Sequence, residues 1–306
     1  MKVLAAVVNY NSTSDLIECV RSLAASGVTY IRILDNHSAE WLKCPIQALA
    51  FTEEIIAVAP EIISVRSALR NIGFGPGVNL LLEDTESYDY VWIVNPDVVV
   101  SRAAVDELLA VAVASAADLI SPIISTNDGS SIWFAGGNLK SVVGLTEHLT
   151  NITQTENSQL SKVSGFSTCT FLTGAALLVR EESWRKLGGF REDLFLYWED
   201  ADLCLRAMEL GMVLGVAEPA RVWHRVGGSA GGEKSAVYYF YMNRNRLAVC
   251  GGKRLWRRVD ILAVRGLRFT LRLLRMCSRE KHDVRAKMTA SFRGIQQGLR
   301  GQMQQF

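Results

Sequence analysis

Short apolar runs that end in polar residues recur through the first hundred residues, and they predict the strands of a sheet. The runs consist mainly of β-branched, aromatic and other apolar residues, which is typical of strands buried on both faces. They lie at residues 3–8, 30–34 and 90–94, and a further strand is expected within residues 55–65. Pro96 cannot donate to a sheet ladder, so the third run is expected to stop before it.

Between these runs, apolar residues recur at helical spacing. Leu16, Val20 and Leu23 predict a helix that Ser14 caps and that ends near residue 25. Further helices are expected at residues 78–82, 101–117 and 199–210, the last stopped by Gly211, and residues 168–180 are strand-like again. Strands that alternate with helices predict an α/β fold with a right-handed, mostly parallel, doubly wound central sheet flanked by helices.

The composition fits a folded protein with a sizeable core. Of the 306 residues, 49% are apolar and 21% are charged. No run of 18 apolar residues predicts a transmembrane span, and the apolar stretch at the N-terminus is too short for a signal peptide. The six cysteines form no CxxC pair and no metal-ligand spacing, which indicates reduced thiols of a cytoplasmic protein.

The net charge of +2 conceals a basic C-terminal part and an acidic remainder. Residues 253–300 contain 14 Lys or Arg and 3 Asp or Glu. Within residues 253–293 the basic residues are spaced among Leu, Trp, Phe and Val, which predicts a helix on an anionic membrane surface, peripheral at the inner face of the cytoplasmic membrane. A helical extension that packs in a homo-oligomer is a second interpretation. Nucleic acid is not expected as a partner, because the body is acidic and no reading motif is present.

Three predicted strands end in polar clusters, at Asn9-Tyr10-Asn11, Asp35-Asn36 and Asn95-Pro96-Asp97. Ligands of open α/β sheets bind at the carboxyl edge, so the clusters predict one polar cleft. Asp35 has the chemistry to accept the imide N–H of a pyrimidine base, with Asn36 free for turn bonds, although an Asx-turn explains Asp35 as well. Asp97 suits a divalent cation that holds phosphate oxygens, or it caps the next helix.

Two glycine-rich stretches are weaker indications. Asn71-Ile-Gly-Phe-Gly-Pro-Gly77 allows close backbone approach to an anion at a helix start, but it matches neither GxGxxG nor a P-loop, and a simple turn explains it too. Residues 227–232 are interpreted as a lid or a linker, and residues 150–162 as a polar loop that covers a site or moves freely.

Carboxylates, aromatic rings and a histidine in the second half supply candidate chemistry. Glu199 and Asp200 are expected in the first turn of a helix with Ala201, Leu205 and Met208 on its buried face, where a carboxylate stays ionised and suits a general base. Charge that complements the helix dipole is the plainer explanation, but it does not explain the adjacent Tyr197 and Trp198, which offer a stacking surface for a sugar. His224, at a predicted strand end, is a candidate ligand for Mn²⁺, or a structural histidine.

The order of these motifs resembles that of inverting family 2 glycosyltransferases with the GT-A fold, over about residues 1–230. The motifs are Val7-Val-Asn-Tyr-Asn-Ser12, Asp35-Asn36-x-Ser38, Asn71-x-Gly-Phe-Gly, Asn95-Pro-Asp97, Gly174, Gly188-Gly-Phe190 and Tyr197-Trp-Glu-Asp-Ala-Asp-Leu203. The chain is most similar to the rhamnosyltransferase-like branch, which builds bacterial surface polysaccharides such as those of cell wall and lipopolysaccharide.

The resemblance implies roles for particular residues. Asp200 is the implied general base, with Glu199 and Trp198 in support. Asp97 and His224 are the implied ligands of Mg²⁺ or Mn²⁺, and Asn95 replaces the first Asp of the family's Asp-x-Asp motif. Trp133 and Tyr197 are the implied acceptor or sugar subsite. The implied nucleotide-sugar contacts are Val8, Asn9, Tyr10, Asn11, Asp35, Asn36, Asn71, Gly73, Phe74, Asn79, Asn95 and Gly174.

The resemblance also implies an activity and a domain plan. A catalytic domain is expected over residues 1–235, with donor binding in about 1–120 and the acceptor side and base in about 121–235, followed by a basic helical extension over 236–306. The expected reaction transfers a sugar, taken to be rhamnose from a dTDP donor, to a saccharide or lipid-diphosphate-linked acceptor. A UDP-hexose or galactofuranose transferase and an inactive GT-A-like scaffold are alternatives. A nucleotidyltransferase is disfavoured, because residues 9–13 lack the Gly-rich basic loop.

Overall fold

A computed structural model of the chain describes residues 1–151, 163–225 and 233–306. The interpretations of residues 152–162 and 227–232 therefore lie outside the described residues. The described strands are β1 Val3–Asn9, β2 Tyr30–Asp35, β3 Ile63–Ser67, β4 Tyr90–Val94, β5 Val98–Val100, β6 Leu119–Thr126, β7 Ile132–Phe134, β8 Gly137–Lys140, β9 Leu145–His148, β10 Phe166–Thr168, β11 Ala176–Arg180 and β12 Leu214–His224.

The helices alternate with these strands and then continue alone at the C-terminal end. They are α1 Thr13–Ala25, α2 Ala39–Lys43, α3 Pro45–Val58, α4 Phe74–Leu81, α5 Ala104–Ser115, α6 Glu181–Leu187, α7 Glu199–Glu209, α8 Ala236–Gly251, α9 Leu255–Ala263, α10 Leu267–Ser278 and α11 Val284–Arg300. A short 3-10 helix spans Glu192–Leu194.

The predicted α/β architecture is confirmed, but the sheet is mixed rather than parallel throughout. Its main path runs β10-β12-β6-β11-β4-β1-β2-β3, with β5 beside β12 and β7 beside β6. β1 pairs in parallel with both β2 and β4, and β2 pairs in parallel with β3. β11 then lies antiparallel between β4 and β6. Beyond β4, β12 pairs in parallel with β6, while β10, β5 and β7 add antiparallel pairs. The predicted doubly wound, mostly parallel sheet is therefore parallel throughout its first half and mixed beyond β4.

β4 occupies the middle of this sheet because all five of its residues can be buried. Val91, Trp92, Ile93 and Val94 are fully buried between β1 and β11, and Tyr90 is nearly so. Burial of apolar side chains of this size contributes roughly 1.5–3 kcal/mol each, which stabilises the strand that carries Asn95 to the sheet edge.

Several predicted boundaries differ from the structure. α1 begins at Thr13, so Ser14 lies inside the helix, and residues 55–58 end α3 while the strand lies at Ile63–Ser67. α4 starts four residues before the predicted helix, at Phe74, and the helix predicted for 101–117 spans Ala104–Ser115. Of residues 168–180, only Thr168 and Ala176–Arg180 are in strands.

The buried face of α7 also differs from the prediction. Ala201 is buried as expected, but Cys204 and Ala207 accompany it, whereas Leu205 and Met208 are half-buried. The face therefore follows the i, i+3, i+6 positions, which turns Glu199 and Asp202 inward as well.

The C-terminal helices pack on the α/β body and on one another. α11 lies along α8, and α9 and α10 complete the group. α8 is buried through most of its length, including four consecutive polar residues from Asn243 to Arg246. Within the described residues, no helix combines the length and apolarity needed to cross a bilayer.

Candidate active site

The carboxyl ends of β1 and β2 meet at one edge of the sheet, as predicted. Asn9 is opposite Asp35 in the strand register, and its amide donates to the Asp35 carboxylate at 3.0 Å and to the Ser38 hydroxyl at 3.3 Å. The other oxygen of Asp35 accepts from the Ser38 backbone N–H at 3.1 Å, so Asp35 bonds the backbone three residues on and not two, as an Asx-turn would. Asp35 is only 3% exposed. Its contact with a base stays a prediction.

Asn36 does not form a local turn but holds the glycine-rich loop that precedes α4. Its amide nitrogen donates to the Asn71 side-chain oxygen at 3.0 Å and to the Gly73 carbonyl at 3.1 Å, and its side-chain oxygen accepts from the Ile72 N–H at 2.9 Å. Three hydrogen bonds from one buried amide fix the loop against the end of β2.

Gly73 occupies a position that only glycine fits. Its φ is +96°, and a Cβ atom there would lie 2.5 Å from the carbonyl oxygen of Phe195. Phe195 O also accepts from the Phe74 N–H at 2.8 Å. The loop before α4 is thereby fixed on one side by β2 and on the other by the segment that precedes α7.

A cavity of about 330 Å³ lies at this edge, and half of its lining comes from predicted nucleotide-sugar residues. Those residues are Val8, Tyr10, Asn36, Asn71, Gly73 and Phe74. The opposite side is formed by residues that were not predicted from the sequence, namely Phe195, Leu196, Val237, Tyr241, Gln305 and Phe306. We call this space the edge cavity. Its lining combines aromatic rings with amide groups.

Other predicted contacts lie outside the edge cavity. The Asn79 amide nitrogen donates to the Phe190 carbonyl at 2.9 Å, and its side-chain oxygen accepts from the Phe190 N–H at 2.9 Å. Asn79 also lines a separate open groove of about 710 Å³. The side-chain oxygen of Asn11 accepts from the Ala39 N–H at 2.8 Å. In this structure both asparagines fix loops.

Asp97 and His224 come together although 127 positions separate them. β5 follows Asp97 and pairs with the end of β12, with Val98 opposite His224. His224 Nε2 then lies 3.0 Å from the Asp97 carboxylate, and the Arg225 N–H donates to the Asp97 carbonyl at 2.8 Å. α5 begins only at Ala104, so the alternative in which Asp97 caps that helix is wrong.

The Asp97 and His224 pair suits one divalent cation. A carboxylate and an imidazole nitrogen 3.0 Å apart are two donors that Mn²⁺ accepts. His224 Nδ1 is buried and has no hydrogen-bond partner among the described residues. The described residues contain no group of three or more His, Cys, Asp or Glu arranged for an ion. Mg²⁺ sites commonly combine one or two protein ligands with water and phosphate oxygens, so two protein donors fit such a site.

Asp200 lies in the first turn of α7 and is fixed by two backbone donors. Its carboxylate accepts from the Ala201 N–H at 2.7 Å and from the Gly174 N–H at 3.2 Å. Ala175 directly follows Gly174 in the chain, and its carbonyl accepts from the Asn95 N–H at 2.9 Å. Two adjacent residues thus connect Asp200 to the strand end that leads to Asp97.

The two adjacent acids of α7 have different surroundings. Burial raises the pKa of Asp200, and its two backbone donors act in the opposite direction. Burial raises the pKa of Glu199 too, and the neighbouring Asp200 charge raises it further. Glu199 is 7% exposed, and its Oε2 has no hydrogen-bond partner among the described residues. Asp200 is therefore the acid that ionises first.

The two aromatic residues predicted to form one acceptor or sugar subsite have different neighbours. Trp133 lies beside His224, with ring centroids 4.8 Å apart, whereas Tyr197 packs against Tyr238 at 5.3 Å. Trp198 is 3% exposed and belongs to the main core, so its indole offers almost no surface to a sugar here. This differs from the expected stacking surface.

Solved structures that resemble this chain show its fold. The chain superposes on GalNAc-T7 crystallised with UDP, GalNAc and Mn²⁺ with a TM-score of 0.66 and 14% identity, over 98% of this chain and 56% of that one. It superposes on residues 1–349 of S. aureus TarS in complex with UDP-GlcNAc with a TM-score of 0.54 and 16% identity, over 99% and 93% of the two chains. These structures share the GT-A fold with this chain.

The sequence family is shown as well. The model of the family described as glycosyl transferase family group 2 matches residues 92–278. Because this match covers more than half of the chain, the chain belongs to that family. A curated relative, N-acetylglucosaminyl-diphospho-decaprenol L-rhamnosyltransferase of Mycobacterium tuberculosis, is 27% identical over 179 residues. The match covers 53% of this chain and 58% of the length of that relative.

Proposed function

We propose that this protein is an inverting glycosyltransferase that moves a sugar, rhamnose from dTDP-rhamnose in the first instance, to a hydroxyl of a lipid-diphosphate-linked saccharide. The observation that carries the proposal is the link from Asp200 through Gly174 and Ala175 to Asn95. It connects an ionisable base to the strand end that bears Asp97, beside a cavity lined by predicted donor contacts. The name of the mycobacterial relative supports rhamnose and a lipid-linked acceptor.

The proposed reaction is a single displacement. Ionised Asp200 accepts the proton of the acceptor hydroxyl, whose oxygen forms a bond to the anomeric carbon. The bond between that carbon and the diphosphate oxygen breaks on the opposite face, so the anomeric configuration inverts. Asp97 and His224 would hold the divalent cation, which when bound neutralises charge on the leaving diphosphate. Glu199 keeps its proton and so adds no second negative charge.

The nucleoside is assigned to the edge cavity, where the amide of Asn71 gives a polar contact and the exposed ring of Tyr10 a stacking contact. Asn36 holds the loop that carries Asn71. Trp133 beside His224 is assigned to the sugar or acceptor. Uridine donors are a second candidate, since the two solved neighbours were crystallised with UDP or UDP-GlcNAc.

The acceptor assignment includes a membrane surface. α9 and α10 expose Leu255, Trp256, Leu267 and Leu271 next to exposed arginines. Apolar side chains flanked by cations suit an anionic bilayer interface, which would hold the enzyme peripherally at the cytoplasmic leaflet near a lipid-linked acceptor.

The test is donor binding and transfer with Asp200→Asn. Asp106→Asn is the matched control, because Asp106 lies in the first turn of α5 and is exposed. Wild type should be stabilised in a thermal-shift assay by dTDP or UDP with Mn²⁺, and should transfer sugar to a diphospholipid-linked saccharide. Asp200→Asn should lose roughly 100- to 10,000-fold in kcat, the usual contribution of a general base, and keep its donor affinity.

The control should keep both properties. Transfer by Asp200→Asn at the wild-type rate would remove Asp200 from the proposed role. A folded wild type that binds no nucleotide and transfers no sugar would overturn the proposed function and favour the inactive scaffold.

A further inference from the structure

α8 presents two buried polar side chains to the segment that precedes Asp200. The Asn245 amide nitrogen lies 2.9 Å from the carbonyl oxygens of Leu194 and Leu196 and 2.7 Å from that of Tyr197. Arg244 donates to the carbonyls of Asp193 at 3.0 Å and Leu194 at 2.9 Å. Both side chains are fully buried, so the carbonyl oxygens are their partners in place of water.

Arg244 also fixes the side chain of Asn245. Its Nε donates to the Asn245 side-chain oxygen at 2.8 Å. That bond determines which end of the amide is the oxygen, so the nitrogen must point at the carbonyls. The two residues therefore act as one unit that offers only donors to residues 193–197.

The segment that they hold has an unusual backbone. Phe195, Tyr197 and Trp198 have φ values of +66°, +65° and +72°. Bulky side chains rarely adopt this left-handed region, and three of them within four residues need support from the surrounding structure. The donors of Arg244 and Asn245 supply that support at four carbonyls of the same segment.

This segment connects the two halves of the proposed site. The Phe195 carbonyl accepts from the Phe74 N–H beside the edge cavity, and the Trp198 carbonyl accepts from Asp202 N–H at 2.8 Å in the first turn of α7. Asp200 follows Trp198 by two residues. The backbone path of residues 193–198 therefore sets where α7 begins and where its carboxylate points.

We infer that Asn245, oriented by Arg244, is a positioning residue that holds residues 193–198, with their three positive-φ residues, in place and so aims Asp200 at the acceptor. This inference rests on the proposed function and deepens it. It makes α8 a part of the catalytic apparatus, although α8 lies outside the predicted catalytic domain.

The test is Asn245→Asp, with Asn243→Asp as the matched control. An aspartate side chain has nearly the same shape as an asparagine side chain. It places a carboxylate oxygen where asparagine places its donating nitrogen, opposite three carbonyl oxygens. Asn243 is equally buried on the same helix, and its amide donates to the Tyr239 carbonyl at 2.8 Å and the Ser291 hydroxyl at 2.9 Å. The control therefore disturbs the contact of α8 with α11 and leaves residues 193–198 alone.

The measurements are kcat, donor KM, Tm and amide hydrogen exchange over residues 193–200. Both variants should lose Tm. Asn245→Asp should lose about 100-fold in kcat, as expected for a misplaced catalytic group, and show faster exchange over 193–200. Its donor KM should rise by a smaller factor than kcat falls, because Phe195 and Leu196 line one side of the edge cavity while Asn36 still holds the loop on the other side. Asn243→Asp should keep its kcat and its exchange over that segment.

Equal kcat and equal exchange over 193–200 in the two variants, in a wild type that transfers sugar, would overturn the role of Asn245 alone. A wild type without transfer would instead overturn the proposed function, while the exchange measurement would still test whether Asn245 holds the segment. If Asn245→Asp does not fold, Asn245→Ala compared with Asn243→Ala gives the same comparison, because alanine removes the donor and adds no charge.

Discussion

Two neighbouring carboxylates of α7 differ because their hydrogen-bond donors differ. Asp200 receives two backbone N–H groups, whereas Glu199 is buried with one oxygen unpartnered among the described residues. Donors stabilise the charged form and burial disfavours it, so the balance favours an ionised Asp200 beside a protonated Glu199. The same arrangement gives the base a raised pKa, which predicts that transfer declines on the acid side at a higher pH than for an exposed aspartate.

Glu199→Gln tests this division of charge. Gln has the shape of protonated Glu, so transfer should stay within about threefold of wild type and the acid side of the rate profile should not move, because Glu199 is already neutral there. The measurement is kcat against pH. A loss comparable to that of Asp200→Asn would show that Glu199 must ionise.

The same variant should be more stable than wild type at alkaline pH. The folded pKa of Glu199 is raised, so wild type loses stability as the pH rises from the ordinary Glu range toward that value, whereas Gln does not titrate. The gain should be absent near pH 4 and should grow to a few kcal/mol as the pH rises to 8, measured by urea unfolding. Glu182→Gln, which removes an exposed carboxylate paired with Lys186, is the control and should show no such gain.

At the scale of secondary-structure elements, the C-terminal helices complete the edge cavity. Tyr241 of α8 stacks on Phe195 with centroids 5.2 Å apart, and its hydroxyl accepts from the Phe306 N–H at 3.1 Å. Arg244 holds the Gln304 carbonyl at 2.6 Å. Residues 304–306 are therefore fixed beside the cavity by α8, and Phe306 forms part of its lining.

Phe306→Ala should weaken nucleotide binding. Loss of an aromatic side of the cavity removes an interaction worth about 1 kcal/mol, so the Kd for dTDP or UDP with Mn²⁺ should rise about fivefold in calorimetric titration. Phe292→Ala on α11 is the control, because Phe292 is exposed and does not line the cavity. The same Kd in both variants would exclude Phe306 from the nucleotide site.

The sequence predicted the elements that depend on local pattern and missed those that depend on distant partners. The strand at 90–94, the end clusters of Asn9 and Asp35, and the first turn of α7 followed from hydrophobic runs and helix-terminus chemistry. The antiparallel insertion of β11 did not, because an apolar run does not encode the direction of its neighbour. Asn245 was also missed, since its partners are backbone carbonyls about fifty positions away.

On the scale of the whole molecule, the excess of basic residues in the C-terminal part is divided between buried ion pairs and the surface. Lys287 is buried and paired with Glu233 and Glu280, so part of the basic charge is used internally. The remainder is on the surface, where Arg268, Arg272 and Arg275 follow helical spacing along α10 and alternate with exposed Leu267 and Leu271. This surface is the candidate contact with anionic lipid.

Replacing these three arginines of α10 with Gln should reduce membrane binding. Wild type should co-sediment with vesicles of phosphatidylcholine and phosphatidylglycerol but not with phosphatidylcholine alone. Each arginine near an anionic surface contributes about 1 kcal/mol, so the triple variant should bind roughly 100-fold more weakly. The control replaces Arg21, Arg66 and Arg102, which are exposed on the α/β body. Equal binding by the two triple variants would favour the oligomer interpretation of the extension.

The central place of β4 has a consequence for how the chain folds during synthesis. β4 needs β11 on its open side, yet β11 begins about 80 residues later along the chain. At a translation rate of about 5–20 residues per second, the nascent chain carries an unpaired, wholly apolar strand edge for roughly 4–16 s. Such an edge invites pairing with other chains, so productive folding depends on chaperones or on a low concentration of nascent chains until residue 180 has left the ribosome.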